Sequence, residues 1–119
     1  MKNNILFVCS KNQCRSPTAE WLYGKNDDLS VSSAGTDSNS NNVASIDDLR
    51  WSNQIFVFER SHRNKIRSMD RQVYSSLKIE CLYVPDDYAY MDITLLYILC
   101  EKLTPYLGAP VRKISKPDA

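Results

Sequence analysis

The chain has one histidine, His62, and no C-x2-C pair among its four cysteines. A four-ligand zinc site would need all four cysteines or a carboxylate, so no metal and no other cofactor is expected. It carries no strong charge of either sign. Over 119 residues the net charge is +1, which gives no global field to attract nucleic acid or a membrane surface. It also lacks a long apolar run. The longest, residues 95–100, is far too short to span a bilayer. Near the N-terminus one lysine precedes only five apolar residues, 5–9, too few for the core of a secretory signal. The expected compartment is therefore the cytoplasm, with the cysteines held as thiols.

What is present is ordinary for a globular domain: 43% hydrophobic and 24% charged residues, in a chain long enough to bury a core. No repeat or linker divides it, so residues 1–108 read as one domain and 109–119 as a mobile C-terminal tail. Residues 5–9 form a continuous apolar run, the pattern of a strand buried on both faces. Ser16 as N-cap and Pro17 at the first helical position open a helix that ends near Gly24. A second strand covers 29–34, and the Ser- and Asn-rich stretch 36–42 reads as loop. Ser45 caps a short helix to about Trp51, and residues 55–58 form a third strand. Ser61 caps a helix over 62–69 that resumes over 71–77. A fourth strand runs over 79–84 and stops at Pro85. Asp92 caps a last helix with Ile93, Leu96, Leu99, Leu103 and Tyr106 at helical spacing, ended by Gly108.

Strand and helix alternate four times. The pattern predicts an α/β fold in three layers, a four-stranded parallel sheet with helices on both faces. Ligands in such folds bind at the carboxyl ends of the strands. The segments there are 9–16, 35–42, 59–61 and 85–90.

The first of these, Cys9-Ser10-Lys11-Asn12-Gln13-Cys14-Arg15-Ser16, is C-x5-R-S between a strand and a helix. Successive loop N–H groups and the helix N-terminus there form a cradle for an anion, a phosphate loop after the first strand. The same positive field favours a thiolate at its base. Arg15 can fork two N–H groups onto two phosphate oxygens. Ser16 can donate its hydroxyl to the sulfur, and Asn12 tolerates the left-handed backbone a tight loop needs. Cys9 is thus a candidate nucleophile, with residues 10–16 as phosphate ligands.

Residues 5–9 and 14–20 (Ile-Leu-Phe-Val-Cys and Cys-Arg-Ser-Pro-Thr-Ala-Glu) resemble the signature of the low-molecular-weight protein tyrosine phosphatases, in a short bacterial form. Ser33-Ala34-Gly35-Thr36 resembles their second-strand exit, and Val84-Pro85-Asp86-Asp87-Tyr88 their acid loop. The resemblance implies a cytoplasmic hydrolase that cleaves phosphomonoesters through a phosphocysteine. Cys9 would be the nucleophile, Arg15 the clamp, Ser16 the thiolate's partner and Asp86 the acid and then the base. No metal is used. Implied partners are a phosphotyrosine protein or a small aryl phosphate, with inorganic phosphate or sulfate in the loop. Departures from the pattern are Lys11 where the family has Gly, and Asp87 where it has Pro, so that either carboxyl stands as the acid. The chain is also short between residues 37 and 47 and before the fourth strand, segments that wall the family's cleft.

Tyr88, and less so Tyr90, could stack on an aryl phosphate. Cys14 could meet Cys9 in a reversible disulfide, as in some members of the resembled family. Cys81, Cys100, Trp21 and Trp51 read as core. The run Arg60, His62, Arg63, Lys65, Arg67, Arg71 reads as a solvated helix surface. Three other functions share the scaffold. A phosphocysteine carrier generally lacks a clamp arginine and an acid loop, both present here. Arsenate reduction needs cysteines on a mobile segment, where Cys81 and Cys100 do not lie. A non-catalytic phosphate-binding module would not need Cys9, Arg15, Ser16 and Asp86 together.

Overall fold

The computed structural model describes residues 2–114. Strands β1 (Asn3–Cys9), β2 (Leu29–Gly35), β3 (Gln54–Val57) and β4 (Ile79–Cys81) alternate with helices α1 (Arg15–Tyr23), α2 (Ile46–Trp51), α3 (Arg60–Met69), α4 (Arg71–Ser75) and α5 (Ile93–Leu107). The sheet has the order β2-β1-β3-β4 with every pairing parallel. The expected α/β class, the four parallel strands and the two helical layers are all there.

The period-2 alternation of each strand decides which layer a side chain joins. Phe7, Phe56 and Phe58 face Leu22 and Tyr23 of α1 and Leu95 and Leu99 of α5. Leu6, Val8, Ile55 and Val57 face Leu49 of α2, Ile66 of α3 and the half-buried Val73 and Tyr74 of α4. β1, buried on both sides, is apolar from residue 5 onward for that reason.

Three boundaries and the burial of three side chains differ from the sequence reading. Cys14, not Ser16, is the N-cap of α1, and Arg15 is already helical. Pro17 is therefore third in the helix, still within the first turn, where its missing N–H costs nothing. Glu59, not Ser61, is the N-cap of α3. The β4 ladder pauses at Tyr83, whose φ is +56°, although the N–H groups of Leu82 and Val84 still donate to Val57 and Phe58. In α5, Ile93 and Tyr106 are exposed, and the buried stripe is Leu95, Leu96, Leu99 and Leu103. Trp51, read as core, closes α2 at 37% exposure.

Residues 109–114, the start of the expected tail, touch α1 and the turn after it. Asn26 donates to the Ala109 carbonyl and accepts from Val111 N–H, and Arg112 lies over the Trp21 ring. The rest of the tail, 115–119, lies outside the described residues. Among the described residues no helix is long and apolar enough to cross a membrane.

Candidate active site

The chain crosses from β2 over β1 to β3, so the strand order switches direction beside β1. That switch leaves a crevice outside the carboxyl ends of β1 and β3, where open α/β sheets bind ligands. Cys9 ends β1 and Glu59 follows β3, so both reach the crevice.

The loop between β1 and α1 is held from outside by its carbonyls. Thr36 N–H donates to Cys9 O, Asp37 N–H to Ser10 O and Asn41 N–H to Lys11 O, at 2.9, 2.9 and 3.1 Å. The Asn41 side-chain amide donates to Asn12 O at 3.1 Å. Four successive carbonyls therefore turn toward the 36–41 segment. No N–H of residues 11–14 donates to another group among the described residues, which leaves them for an anion. The approach is close: a Cβ on Gly35 would lie 2.6 Å from Ser10 O and 2.5 Å from Ser40 Cβ, so only glycine fits there.

Inside the loop, Cys9 is 3% exposed, and its Sγ lies 2.8 Å from Ser16 Oγ. Asn12 has φ +56°, the left-handed conformation expected of it. Its Nδ2 donates to Ser16 Oγ and to Ser33 Oγ, each at 2.9 Å. Because the Ser16 oxygen accepts from Asn12, its own proton is shared between the sulfur at 2.8 Å and the Ala34 carbonyl at 3.4 Å.

Arg15 is 2% exposed. Its Nη1 donates to Glu59 Oε2 at 2.6 Å and to the Val84 carbonyl at 2.8 Å. Its Nε lies 3.6 Å from Asp86 Oδ1. Nη1 thus holds the side chain in place, while Nε lies toward Asp86. Hydrogen bonding from Arg15 holds the Glu59 carboxyl below its ordinary pKa. A hollow of about 60 Å³, the size for a small oxyanion, is walled by Cys9, Lys11, Gln13, Cys14, Arg15 and Asp86. Ser10, by contrast, points its hydroxyl away toward His62. Asp87 is exposed and forms no part of this wall, and Tyr88 is half-buried against the α1–α5 core. Tyr90 lines open grooves alongside.

His62 is not the solvated helix residue that the basic run suggested. It is 1% exposed, and its Nδ1 accepts from the N–H groups of Phe58 and Glu59 at 3.3 and 3.1 Å. A neutral ring must then carry its proton on Nε2, which donates to Ser10 Oγ at 2.9 Å. Burial first, then the Arg15 charge, push its pKa down to about 4. The unfolded chain therefore binds a proton at His62 that the folded one refuses. Stability should be intact above pH 6.5 and fall as the pH drops toward 4, by up to about 3 kcal/mol. Urea unfolding from pH 7 to 4 checks this: His62→Gln should flatten that window, and an unchanged slope in the variant would locate the protons elsewhere.

Glu59 and His62 are the two site residues that sequence reasoning left unassigned. The signal for Glu59 was its place directly after a buried strand that ends at the ligand edge. His62 offered less, since a lone histidine among cations looks exposed.

Among the described residues no group of three or more His, Cys, Asp or Glu is placed to hold a metal ion. A cysteine at the base of an anion loop, an arginine closing it and a carboxylate across the hollow define a parallel α/β protein built around a phosphate loop. The family profile described as "Low molecular weight phosphotyrosine protein phosphatase" matches residues 4–51. No curated protein matches the chain in sequence. The solved tyrosine phosphatase AmsI of Erwinia amylovora is 22% identical, covering 94% of this chain and 95% of that one with a TM-score of 0.70. The tyrosine phosphatase Wzb of Escherichia coli K30, solved with phosphate, is 19% identical over 89% and 96% of the two chains, TM-score 0.72. The YwlE arginine phosphatase of Geobacillus stearothermophilus is 19% identical over 88% and 92%, TM-score 0.64. Residues 4–51 thus carry the signature of the low molecular weight protein tyrosine phosphatases, a family of cysteine-dependent phosphatases, and nearly the whole chain shares the fold of its bacterial structures. The resemblance read from the sequence holds over residues 4–51, and the likeness at residues 84–88 lies outside the matched span.

Proposed function

We propose that this protein is a cytoplasmic protein tyrosine phosphatase that works through a phosphocysteine. The observation that carries the reading is the 60 Å³ hollow, which Cys9, Arg15 and Asp86 line together. The dianion enters with its oxygens on the N–H groups of the loop and on the Arg15 N–H groups that Glu59 and Val84 do not take. Cys9 Sγ attacks phosphorus, and the bond to the leaving oxygen breaks as Asp86 gives that oxygen a proton. Asp86, now ionised, takes a proton from water, which attacks the phosphocysteine and frees inorganic phosphate and the thiolate. Ser16 and Asn12 steady the sulfur through both steps. Of the two neighbouring acids, Asp86 is favoured because it faces Arg15 while Asp87 stands outside the hollow.

The substrate class follows from the family signature, with a phosphotyrosine side chain or a small aryl phosphate as the ester. Ser10, Lys11, Gln13 and Cys14 complete the phosphate site through the loop, and Tyr88, packed against the core behind the acid loop, is no wall of the hollow. Cys14, which lines the same hollow as Cys9, is the thiol that would close a reversible disulfide with it under peroxide. A carrier or a passive binder has no use for an acid facing the clamp. Cys81 in β4 and Cys100 in α5 sit in regular elements, unsuited to an arsenate relay.

The test is turnover of a generic aryl phosphate by the wild type and by Arg15→Lys. The wild type should release phosphate, inhibited competitively by vanadate. The variant should lose about 10²–10³-fold in kcat, because an ammonium cannot supply two fixed donors while also holding Glu59 and Val84. No release by the wild type, or full activity in the lysine variant, overturns the reading.

A further inference from the structure

Beside the phosphate hollow an open groove of about 390 Å³ starts at Gln13 and runs past Pro17, Glu20 and Tyr90. The last three also line a second hollow of about 440 Å³, which ends at Trp21 and Arg112. The two form one channel along α1, from the rim of the phosphate loop to the C-terminal segment. Its far end is built: the Arg112 guanidinium lies 4.2 Å over the Trp21 ring, and the adjoining Val111 N–H is fixed to Asn26. No carboxylate of the described residues comes within ion-pair distance of Arg112, and its buried Nε has no hydrogen-bond partner. Its near end is different. Glu20 lines both hollows, with one carboxylate oxygen accepting from the Ser33 hydroxyl.

We propose that this channel is a specificity site for the protein substrate, in which Arg112 binds an acidic side chain flanking the phosphorylated residue. The proposal rests on the phosphatase reading. A guanidinium over an indole, with no carboxylate partner among the described residues, calls for an acidic ligand. Glu20 repels an acid placed next to the phosphate and so sets the register. From Arg15 to Trp21 the helix rises about 9 Å, the span of about three extended residues. The preferred acid therefore lies about three positions from the phosphotyrosine.

The test uses phosphotyrosyl peptides with Glu or Lys three positions before or after the phosphorylated residue, and a small aryl phosphate as control. The wild type should turn over one Glu peptide about three- to tenfold faster in kcat/KM than its Lys counterpart. Arg112→Ala should remove that preference, and Arg112→Glu reverse it, with the aryl phosphate rate unchanged in both. Equal rates on Glu and Lys peptides, or a preference that survives Arg112→Ala, overturns the proposal. Peptide affinities of the Cys9→Ser protein separate the two readings. If no ester is hydrolysed while Arg112 still selects the Glu peptide, the catalytic reading alone falls. If no peptide binds, the channel proposal falls with it.

Discussion

Cys9→Ser is expected to reduce aryl phosphate turnover by about 10⁴-fold or more while the protein stays folded and still binds phosphate. The substitution changes one atom, and a serine hydroxyl fits where Sγ packs against Ser16 Oγ at 2.8 Å. What disappears, in the proposed mechanism, is the nucleophile. The thiolate attacks, whereas a hydroxyl stays protonated, and no base among the hollow's walls is placed to take its proton except Asp86, which must remain an acid for the leaving group. The anion cradle does not depend on the sulfur. Its carbonyls are held by residues 36–41 and its arginine by Glu59 and Val84. Calorimetry with vanadate or phosphate on the variant should therefore show binding near the wild-type affinity. A serine variant that keeps one per cent of the activity would remove Cys9 from the chemistry. One that loses activity and anion binding together would make Cys9 a structural residue.

Asp86→Asn should cost about 10²–10⁴-fold on aryl phosphates with basic leaving groups and less than about tenfold on activated ones. A phenol with a pKa of about 10 leaves poorly as an anion, so the proton matters most there. Asn preserves the shape of the side chain and removes only the proton and charge. Asp86 is suited to the role by its position: its side chain is 65% exposed, so substrate can reach it, yet it stands 3.6 Å from the clamp. Asp87→Asn should be mild on both kinds of ester, since that residue lies outside the hollow. Rates measured over a series of substituted phenyl phosphates decide the matter. A steep leaving-group dependence in the Asp87 variant would move the acid by one residue, and a flat one in both variants would place it on another loop.

The phosphate loop was legible because its requirements are local. A buried strand, a left-handed Asn, and an Arg and Ser at the start of a helix are consecutive in the chain, and each shows in residue type alone. The network behind the loop was not legible. Ser10 and His62 are 52 positions apart, and Arg15 and Glu59 are 44 apart. Their contacts exist only because β1 and β3 are neighbours. The Ser- and Asn-rich stretch 36–42 likewise read as loop, which it is, but its role of receiving four carbonyls depends on Gly35 passing against Ser10.

By itself the sequence determined the α/β class, the parallel alternation and the loop between β1 and α1 in which the candidate nucleophile lies, because hydrophobic period, turn chemistry and motif spacing act over a few residues. Only the tertiary structure decided the strand order β2-β1-β3-β4, and with it which strand ends adjoin Cys9. That order brought Glu59 to Arg15 and buried His62 behind Ser10, while the packing of the loop after β4 and of the segment after α5 set Asp86 near the clamp and Arg112 over Trp21. The reason is physical. Which strands pair is settled by how two helical layers can cover both faces of one twisted sheet, a condition on the whole chain that no short window of residues contains.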